Sequence, residues 1–308
     1  VAEAGTITIN GGTDTTGVSA DGDGDVLLEA RGPASDVVIN ADVSSGTGNV
    51  TVDADNDVDL NANISTVGGD VYVLAGNATT DGTPADGVNM EDVNASISTS
   101  GSSVQIEAQG ASGDIWLSSI DAGAGNVALI ADNDILDNTV LETANVTAAG
   151  VLLVADDDGA VAGAGGIIGG APGTSTGVNA QAIDLNVTTV AAASDEGIYL
   201  REVAAGTTIT VDTVTVTVDR ADFDSGVTTL PAETLEDLTT TTAGPIKLVA
   251  ENGPLSIEGG ADTTGVSADG TGAVLLAARG AASDVVLNAN VSSGSGNITL
   301  DADDDLDL

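Results

Sequence analysis

A long internal repeat constrains the fold of this chain more than any other feature. Residues 11–60 and 259–308 match at 38 of 50 positions without a gap, at an offset of 248 residues. The match extends upstream to VAEAG at Val1 and VAENG at Val249. Self-similarity at a fixed offset is typical of repeat architectures. We therefore interpret residues 1–248 as one complete long repeat, and residues 249–308 as the start of the next copy in one continuous rod.

A shorter rhythm lies inside the long repeat. Each unit joins a β-branched residue, a small polar turn and an alternating strand, as in VSSGTGNVTVDADNDVDL from Val43 and IDAGAGNVALIADNDI from Ile120. The unit at Ile64 starts 21 residues after Val43, and the unit at Ile120 starts 23 residues after Ile97. A unit of this size cannot bury its apolar side alone, whereas stacked units can. The sequence therefore predicts an all-β fold, a parallel β-solenoid with coils of about 21–24 residues.

Several coil motifs carry a resemblance to a known family. Runs of the type G-N-V-x-L-x-A-D-x-D-[IVL] occur at Asn49, Asn126 and Asn297, turns of the type I-S-T-x-G-G precede such strands, and a GIYLRE segment starts at Gly197. These motifs resemble those of filamentous-haemagglutinin-like β-helical exoproteins, which are large secreted adhesins of bacteria. The resemblance covers most of the chain and implies a right-handed β-helix, but its motifs mark the coil rather than any binding site.

The chain is strongly acidic. It has 48 Asp and Glu residues against five Lys and Arg, which gives a formal net charge of −43. With so few basic groups to replace the counterions around phosphates, we expect no nucleic-acid partner and no binding to anionic membranes. No apolar run approaches the roughly 20 residues of a membrane span, so we expect no membrane insertion. Self-repulsion at this charge requires cations, which favours an extracellular or cell-surface location.

The composition also limits catalysis. The chain has no His and no Cys, which excludes His- or Cys-dependent nucleophiles, zinc centres, haem ligation and disulfides. Some parallel β-helices are polysaccharide lyases or hydrolases, but exposed Asp residues on a regular surface have no reason to carry a raised pKa. A lyase also needs a basic group beside calcium. The long repeat has only four basic residues, Arg31, Arg201, Arg220 and Lys247. We expect no catalytic residues and no enzyme activity.

Carboxylate clusters are the one chemically suggestive feature of the sequence. Calcium takes six to eight oxygen ligands, which Asp-rich turns can supply. The candidate calcium ligands are Asp21, Asp23, Asp25, Asp55, Asp57, Asp132 and Asp134. The second copy argues against the first triplet, since Asp23 becomes Thr271 and Asp25 becomes Ala273. The alternative is that these residues cap turns by accepting hydrogen bonds from backbone N–H groups. No cofactor is required on this reading, and calcium is the one cofactor that the clusters suggest.

Strand alternation assigns side chains to two faces. Val50 and Val52 are expected to point inward, and acidic residues such as Asp57 to face solvent. Aligning the coils gives one outward column: Asp53, Leu74, Glu107, Ile130 and Val154. Its apolar members need a cover, either a segment of the same chain or a lateral contact between rods. Segments 159–177 and 222–244 interrupt the coil pattern, the second just before the long repeat restarts.

These observations favour a structural, non-enzymatic protein: an extracellular fibre, surface stalk or adhesin segment built from tandem β-solenoid repeats. Its partners would be further copies of itself, end to end and also laterally. The alternative is a calcium- or glycan-binding adhesin module that contacts glycans or cell surfaces. A third interpretation, a polysaccharide-lyase-like enzyme, has the least support.

Overall fold

The computed structural model describes residues 1–76, 87–90, 92–110, 112–139, 142–155, 166–170 and 181–308, so most of segment 159–177 lies outside it. The described residues form strands β1 to β36 and no helix, which confirms the all-β class. Accordingly, none of the described chain forms a helix with the length and apolar character to cross a membrane.

The first 22 strands are β1 (Ile7–Ile9), β2 (Thr16–Ala20), β3 (Val26–Ala30), β4 (Val37–Ile39), β5 (Asp42–Ser45), β6 (Val50–Ala54), β7 (Val58–Leu60), β8 (Ile64–Thr66), β9 (Val71–Ala75), β10 (Gly87–Asn89), β11 (Ser96–Thr99), β12 (Val104–Ala108), β13 (Asp114–Leu117), β14 (Ser119–Asp121), β15 (Asn126–Ala131), β16 (Ile135–Asp137), β17 (Val146–Thr147), β18 (Gly150–Ala155), β19 (Ile167–Ile168), β20 (Ile183–Asn186), β21 (Thr189–Ser194) and β22 (Gly197–Glu202). The next five are β23 (Ile209–Val211), β24 (Val214–Val216), β25 (Asp219–Ala221), β26 (Val227–Thr229) and β27 (Glu233–Leu235). The last nine are β28 (Leu238–Thr240), β29 (Ile246–Ala250), β30 (Leu255–Ile257), β31 (Thr264–Ala268), β32 (Val274–Ala278), β33 (Val285–Leu287), β34 (Asn290–Ser293), β35 (Ile298–Ala302) and β36 (Leu306–Asp307).

Strands pair in parallel with the equivalent strand one coil away, which confirms the predicted β-solenoid. In the first part of the chain each coil has one long face and two short faces. The long face is the stack β3, β6, β9, β12, β15, β18 and β21. One short face runs from β1 through β4 to β19, and the other runs from β2 through β5 to β20. Successive coils start at Val26, Val50 and Val71, which agrees with the predicted coil length.

The core is a continuous apolar interior along the rod. Inward side chains such as Val50, Val52 and Ala54 are fully buried, as the alternation predicts. The interior consists of Val, Ile, Leu, Ala and a single Met, so close packing of small branched side chains supplies the stability.

The positions of the long and short strands around the coil exchange at β21 and β22, and we call this exchange the phase change. Strand β22 pairs with β19 through Ile198 and with β20 through Leu200, so it replaces the two short faces by one long strand. On the opposite side, β21 takes two partners, β23 on its first half and β28 on its second half. From there on, the long strands β29, β32 and β35 stack on β22, while the short strands stack on the former long face. The long face has moved by half a turn.

This phase change places the two copies of the repeat on opposite sides of the rod. Strands β3 and β32 are equivalent in sequence, 248 residues apart, yet they belong to different sheets. Between them the chain makes six coil-to-coil steps to β21, half a turn to β22 and two further steps. The long repeat therefore takes eight and a half coils, or about 40 Å of rod at ~4.8 Å a coil.

Candidate functional site

A hairpin, residues 212–237, leaves the solenoid between β23 and β28, and we call it the arm. Its strands pair antiparallel, β24 with β27 and β25 with β26. Alternation in TVTVTV places Val214, Val216 and Val218 on one face, where at most 2% of each residue is exposed. The arm runs back toward the first coils: β24 packs on β15 and β18, and β25 packs on β6 and β9.

The arm covers the apolar part of the long face. Leu74, Ile130 and Val154 lie in the column that the sequence predicts, with Glu107 in register between the first two. They pack with the arm valines in a second hydrophobic cluster, separate from the interior of the rod. These three side chains remain half-buried against the arm, so the predicted cover by a segment of the same chain is confirmed in part. The arm fully covers the neighbouring outward column, which includes Tyr72, Ala128 and Leu152.

Residues 222–237 of the predicted interruption supply the tip and the returning strands, but the arm begins ten residues earlier than that segment. The predicted end at residue 244 is wrong, because β28 belongs to the rod and pairs with β21 and β31.

Polar contacts hold the arm at several coils. Asn126 Nδ2 donates to the carbonyl of Thr215 at 2.9 Å. Nearer the tip, the Asp219 N–H donates to Asp70 Oδ2 at 2.9 Å. Burial raises the pKa of Asp70 despite that hydrogen bond. These contacts fix the register of the arm on the rod, which the valines alone would not specify.

The seven predicted calcium ligands lie at separate places on the rod. Asp21, Asp23 and Asp25 occupy an exposed or half-exposed turn between β2 and β3. The pair Asp55 and Asp57 lies at the corner between β6 and β7. The remaining two, Asp132 and Asp134, lie at the equivalent corner three coils further, about 14 Å away. The structure therefore offers no single site built from all seven, and calcium binding at these residues stays a prediction.

Five of the seven accept a backbone N–H from an adjacent coil. The acceptor and donor pairs are Asp25 with Asn49 at 2.7 Å, Asp57 with Gly87 at 2.9 Å, Asp134 with Ile167 at 2.8 Å, Asp55 with Gly32 at 2.5 Å and Asp132 with Gly110 at 2.5 Å. These contacts satisfy backbone amides at or beside the corners of the coil. In these contacts the Asp residues cap turns, which is the alternative to calcium binding that the sequence predicts.

The caps form ladders along the corners. Asp25 accepts from Asn49, Asn49 Oδ1 accepts from Asp70 at 2.9 Å, and Asp70 Oδ1 accepts from Ser103 at 2.9 Å. A side chain at such a corner therefore lies against the adjacent coil, where its oxygen accepts a backbone N–H group. For this reason the expectation that Asp57 faces solvent is wrong, since 5% of the residue is exposed.

Several corner and transition carboxyls have raised pKa values. Burial raises the pKa of Asp134 to about 6, and that of Glu202 to about 7. The expectation that no carboxyl has reason to carry a raised pKa is wrong at these two positions. Glu202 accepts N–H groups from Val187 and Ala204, at 3.0 and 2.9 Å. Both of its carboxylate oxygens therefore accept hydrogen bonds from backbone N–H groups, as the oxygens of the corner Asp residues do.

Among the residues that the structure describes, two groups of three carboxylates are close enough to share one cation. The first is Glu236, Asp237 and Asp262 at the base of the arm, and the second is Asp284, Asp304 and Asp305 in the second copy. In each group one oxygen per residue lies within 4.8 Å of the others. Neither group contains a predicted ligand. The sequence gives no signal for the first group, because only the return of the arm brings Asp262 beside Asp237.

No protein-family model matches this chain, and no curated protein or solved structure is significantly similar to it. The parallel β-solenoid agrees with the resemblance to filamentous-haemagglutinin-like exoproteins at the level of architecture. Fold alone does not identify a function.

Proposed function

We propose that this chain is a segment of a rigid, non-enzymatic extracellular rod, a fibre, surface stalk or adhesin shaft assembled from tandem β-solenoid repeats. The observation that carries the proposal is the junction between the two copies. Strands β29, β32 and β35 continue one ladder without a break from β22, although β32 and β35 belong to the second copy. The end of one repeat is therefore a good template for the start of the next.

The surface supports a scaffold role. With a net charge of −43 the chain repels other acidic rods. Its five basic residues offer few contacts to phosphate-rich partners. The arm buries the outward apolar residues Tyr72, Ala128 and Leu152 of the long face, which removes them from any lateral contact. Buried carboxyls such as Glu202 are occupied by backbone amides, an arrangement that supports a structural rather than a catalytic role.

The length of the rod tests this proposal. We would compare the 308-residue chain with an extended chain in which a further copy of residues 1–248 is placed ahead of it. The proposal expects small-angle X-ray scattering to show an unchanged cross-section and a maximum dimension longer by about 40 Å. Two bodies joined flexibly, or no increase in the long dimension, would overturn it. Antibody against the arm, applied to intact producing cells, tests the proposed surface location.

A second candidate function is recognition of glycans by a polar groove beside the first coils. Asn61 Nδ2 donates to Asn40 Oδ1 at 3.0 Å, and Asn40 Nδ2 donates to Asn10 Oδ1 at 3.1 Å. This amide ladder lines the groove together with acidic side chains that include Asp92. Such donors and acceptors suit sugar hydroxyls. Binding of the chain to a glycan array, lost on Asn40→Ala, would favour an adhesin module over a pure scaffold.

A further inference from the structure

The base of the arm brings four acidic residues together from distant parts of the chain. Asp212 is where the arm departs, Glu236 and Asp237 are where it returns, and Asp262 lies in the turn before β31. One oxygen each from Glu236, Asp237 and Asp262 lies within 4.8 Å of the other two. Calcium ligands lie about 2.3–2.6 Å from the ion, so oxygens around one ion are up to roughly 5 Å apart. The spacing fits a single shared cation.

Asp237 has an unsatisfied carboxylate oxygen. Only 5% of it is exposed, and its Oδ1 is buried with no hydrogen-bond partner. A buried carboxylate oxygen without a partner is costly, and native proteins normally satisfy it. The corner carboxylates described above each accept a backbone amide, so Asp237 departs from the rule that the rest of the rod follows.

The surrounding charges increase the need for a cation. Burial raises the pKa of Asp237 to about 6, and the negative charges of Asp262, Glu236 and Asp212 contribute in the same direction. No Lys or Arg in the described part of the chain forms an ion pair with any of these four residues. Local basic groups therefore do not compensate the cluster.

Two of the neighbours are already oriented by the backbone. Glu236 Oε2 accepts the Ala261 N–H at 2.7 Å, and Asp262 Oδ1 accepts the Thr264 N–H at 2.6 Å. Each of these carboxylates keeps a second oxygen beyond those two contacts. The side chains are thus held in place by the β30–β31 turn, which reduces the entropy lost on binding an ion.

We propose that Glu236, Asp237 and Asp262 form a calcium site that links the returning end of the arm to the rod. Calcium is the expected ion because all the ligands are oxygens and the cluster is of irregular shape, whereas Mg²⁺ demands near-ideal octahedral geometry. The ion would satisfy Asp237 Oδ1 and neutralise the base of the arm. The site is distinct from the seven residues that the sequence suggests.

The test uses the full 308-residue chain after removal of divalent cations, in a buffer with at least 150 mM NaCl, which screens the −43 charge over distances beyond about 8 Å. Calorimetric titration with Ca²⁺ should give one saturable site per chain. Hydrogen exchange at residues 212–237 should slow when the site is filled. The Asp237→Asn variant keeps the shape of the side chain, and it should bind Ca²⁺ at least tenfold more weakly.

Two matched variants complete the experiment. Asp304→Asn removes a carboxylate from the other acidic group and installs the residue that the first copy has at Asn56, so it should retain the site. Asp14 is the equivalent of Asp262 in the first copy, and Asp14→Asn should also bind as the parent does. Equal Ca²⁺ binding by Asp237→Asn and the parent would overturn the proposal. So would a parent response that additional NaCl reproduces, or equal affinity for Mg²⁺.

Discussion

The backbone N–H of Ala221 donates a 2.8 Å hydrogen bond to Thr51 Oγ1, although 170 residues separate the two. Thr51 is an outward residue of β6, yet it is fully buried because the arm lies over it. We predict that Thr51→Val leaves this amide buried without an acceptor and weakens docking of the arm tip by about 1–3 kcal/mol. Hydrogen exchange of residues 219–229 measures the effect.

The second copy supplies the control for that experiment. Thr299 is the equivalent of Thr51 and is exposed on β35. Thr299→Val should leave exchange throughout the arm unchanged. Equal effects of the two substitutions would mean that the arm does not depend on the Thr51 contact.

A substitution at Val216 tests whether the apolar face of the arm holds it on the rod. This residue is fully buried between the arm and the long face. Val216→Asp places a carboxylate in that contact, so we expect the free energy of opening the arm to fall by at least about 2 kcal/mol. Limited proteolysis should cut the arm while the rod stays intact. Thr217→Asp, on the exposed face of the same segment, should not increase cleavage.

A buried ion pair joins β20 and β22 at the phase change. Arg201 Nε and Nη2 donate to the two carboxylate oxygens of Asp184, each at 2.8 Å. Arg201→Met leaves Asp184 buried without its partner, and we expect a cost of about 3–5 kcal/mol. Urea unfolding followed by hydrogen exchange at β20 measures it. Arg279→Met removes an exposed guanidinium that forms no ion pair within the described part of the chain, and it should leave the unfolding midpoint unchanged.

Stability should depend on pH through Glu202. Burial raises its pKa from 4.5 to about 7, so the folded chain binds this proton more tightly than the unfolded chain does. The resulting stabilisation is complete below pH 4.5 and is lost as the pH rises to about 7. Between pH 4.5 and 8 the parent should lose about 3 kcal/mol relative to Glu202→Gln. A difference in unfolding free energy between the two proteins that stays the same from pH 4.5 to pH 8 would contradict this prediction.

Two substitutions at Asp134 distinguish a turn cap from an ion ligand. Asp134→Asn keeps an Oδ1 acceptor for the Ile167 N–H and removes a charge whose pKa is raised by burial. It should be as stable as the parent at pH 8, or more stable, with or without Ca²⁺. Asp134→Ala removes the acceptor and should cost about 1–3 kcal/mol. If Ca²⁺ stabilises the parent and Asp134→Asn abolishes that effect, the residue is a calcium ligand after all.

Local pattern was sufficient to predict the coil. Period-2 alternation correctly places Val50 and Val52 inside, and the aligned coils correctly predict that Leu74 and Ile130 share an outward column with Glu107 between them. These predictions succeed because each depends only on residues within one coil and on a constant coil length.

The features that the sequence did not predict depend on contacts between distant segments. GIYLRE is recognisable as a strand, but nothing within it shows that β22 replaces two short strands at once. Val214 and Val216 alternate like coil residues, although they belong to the arm. Asp237 is one acidic residue among several, and it becomes distinctive only when the arm returns beside Asp262.

The half coil at β22 sets the symmetry of any longer array of this repeat. Successive repeats are related by a twofold screw operation along the rod, apart from the twist that each coil adds, because eight and a half coils return the sequence to the opposite side. The true axial period is then two repeats, about 80 Å at ~4.8 Å a coil. Because each arm lies on the long face, successive arms would cover opposite sides of the fibre, and each side would carry one arm per period.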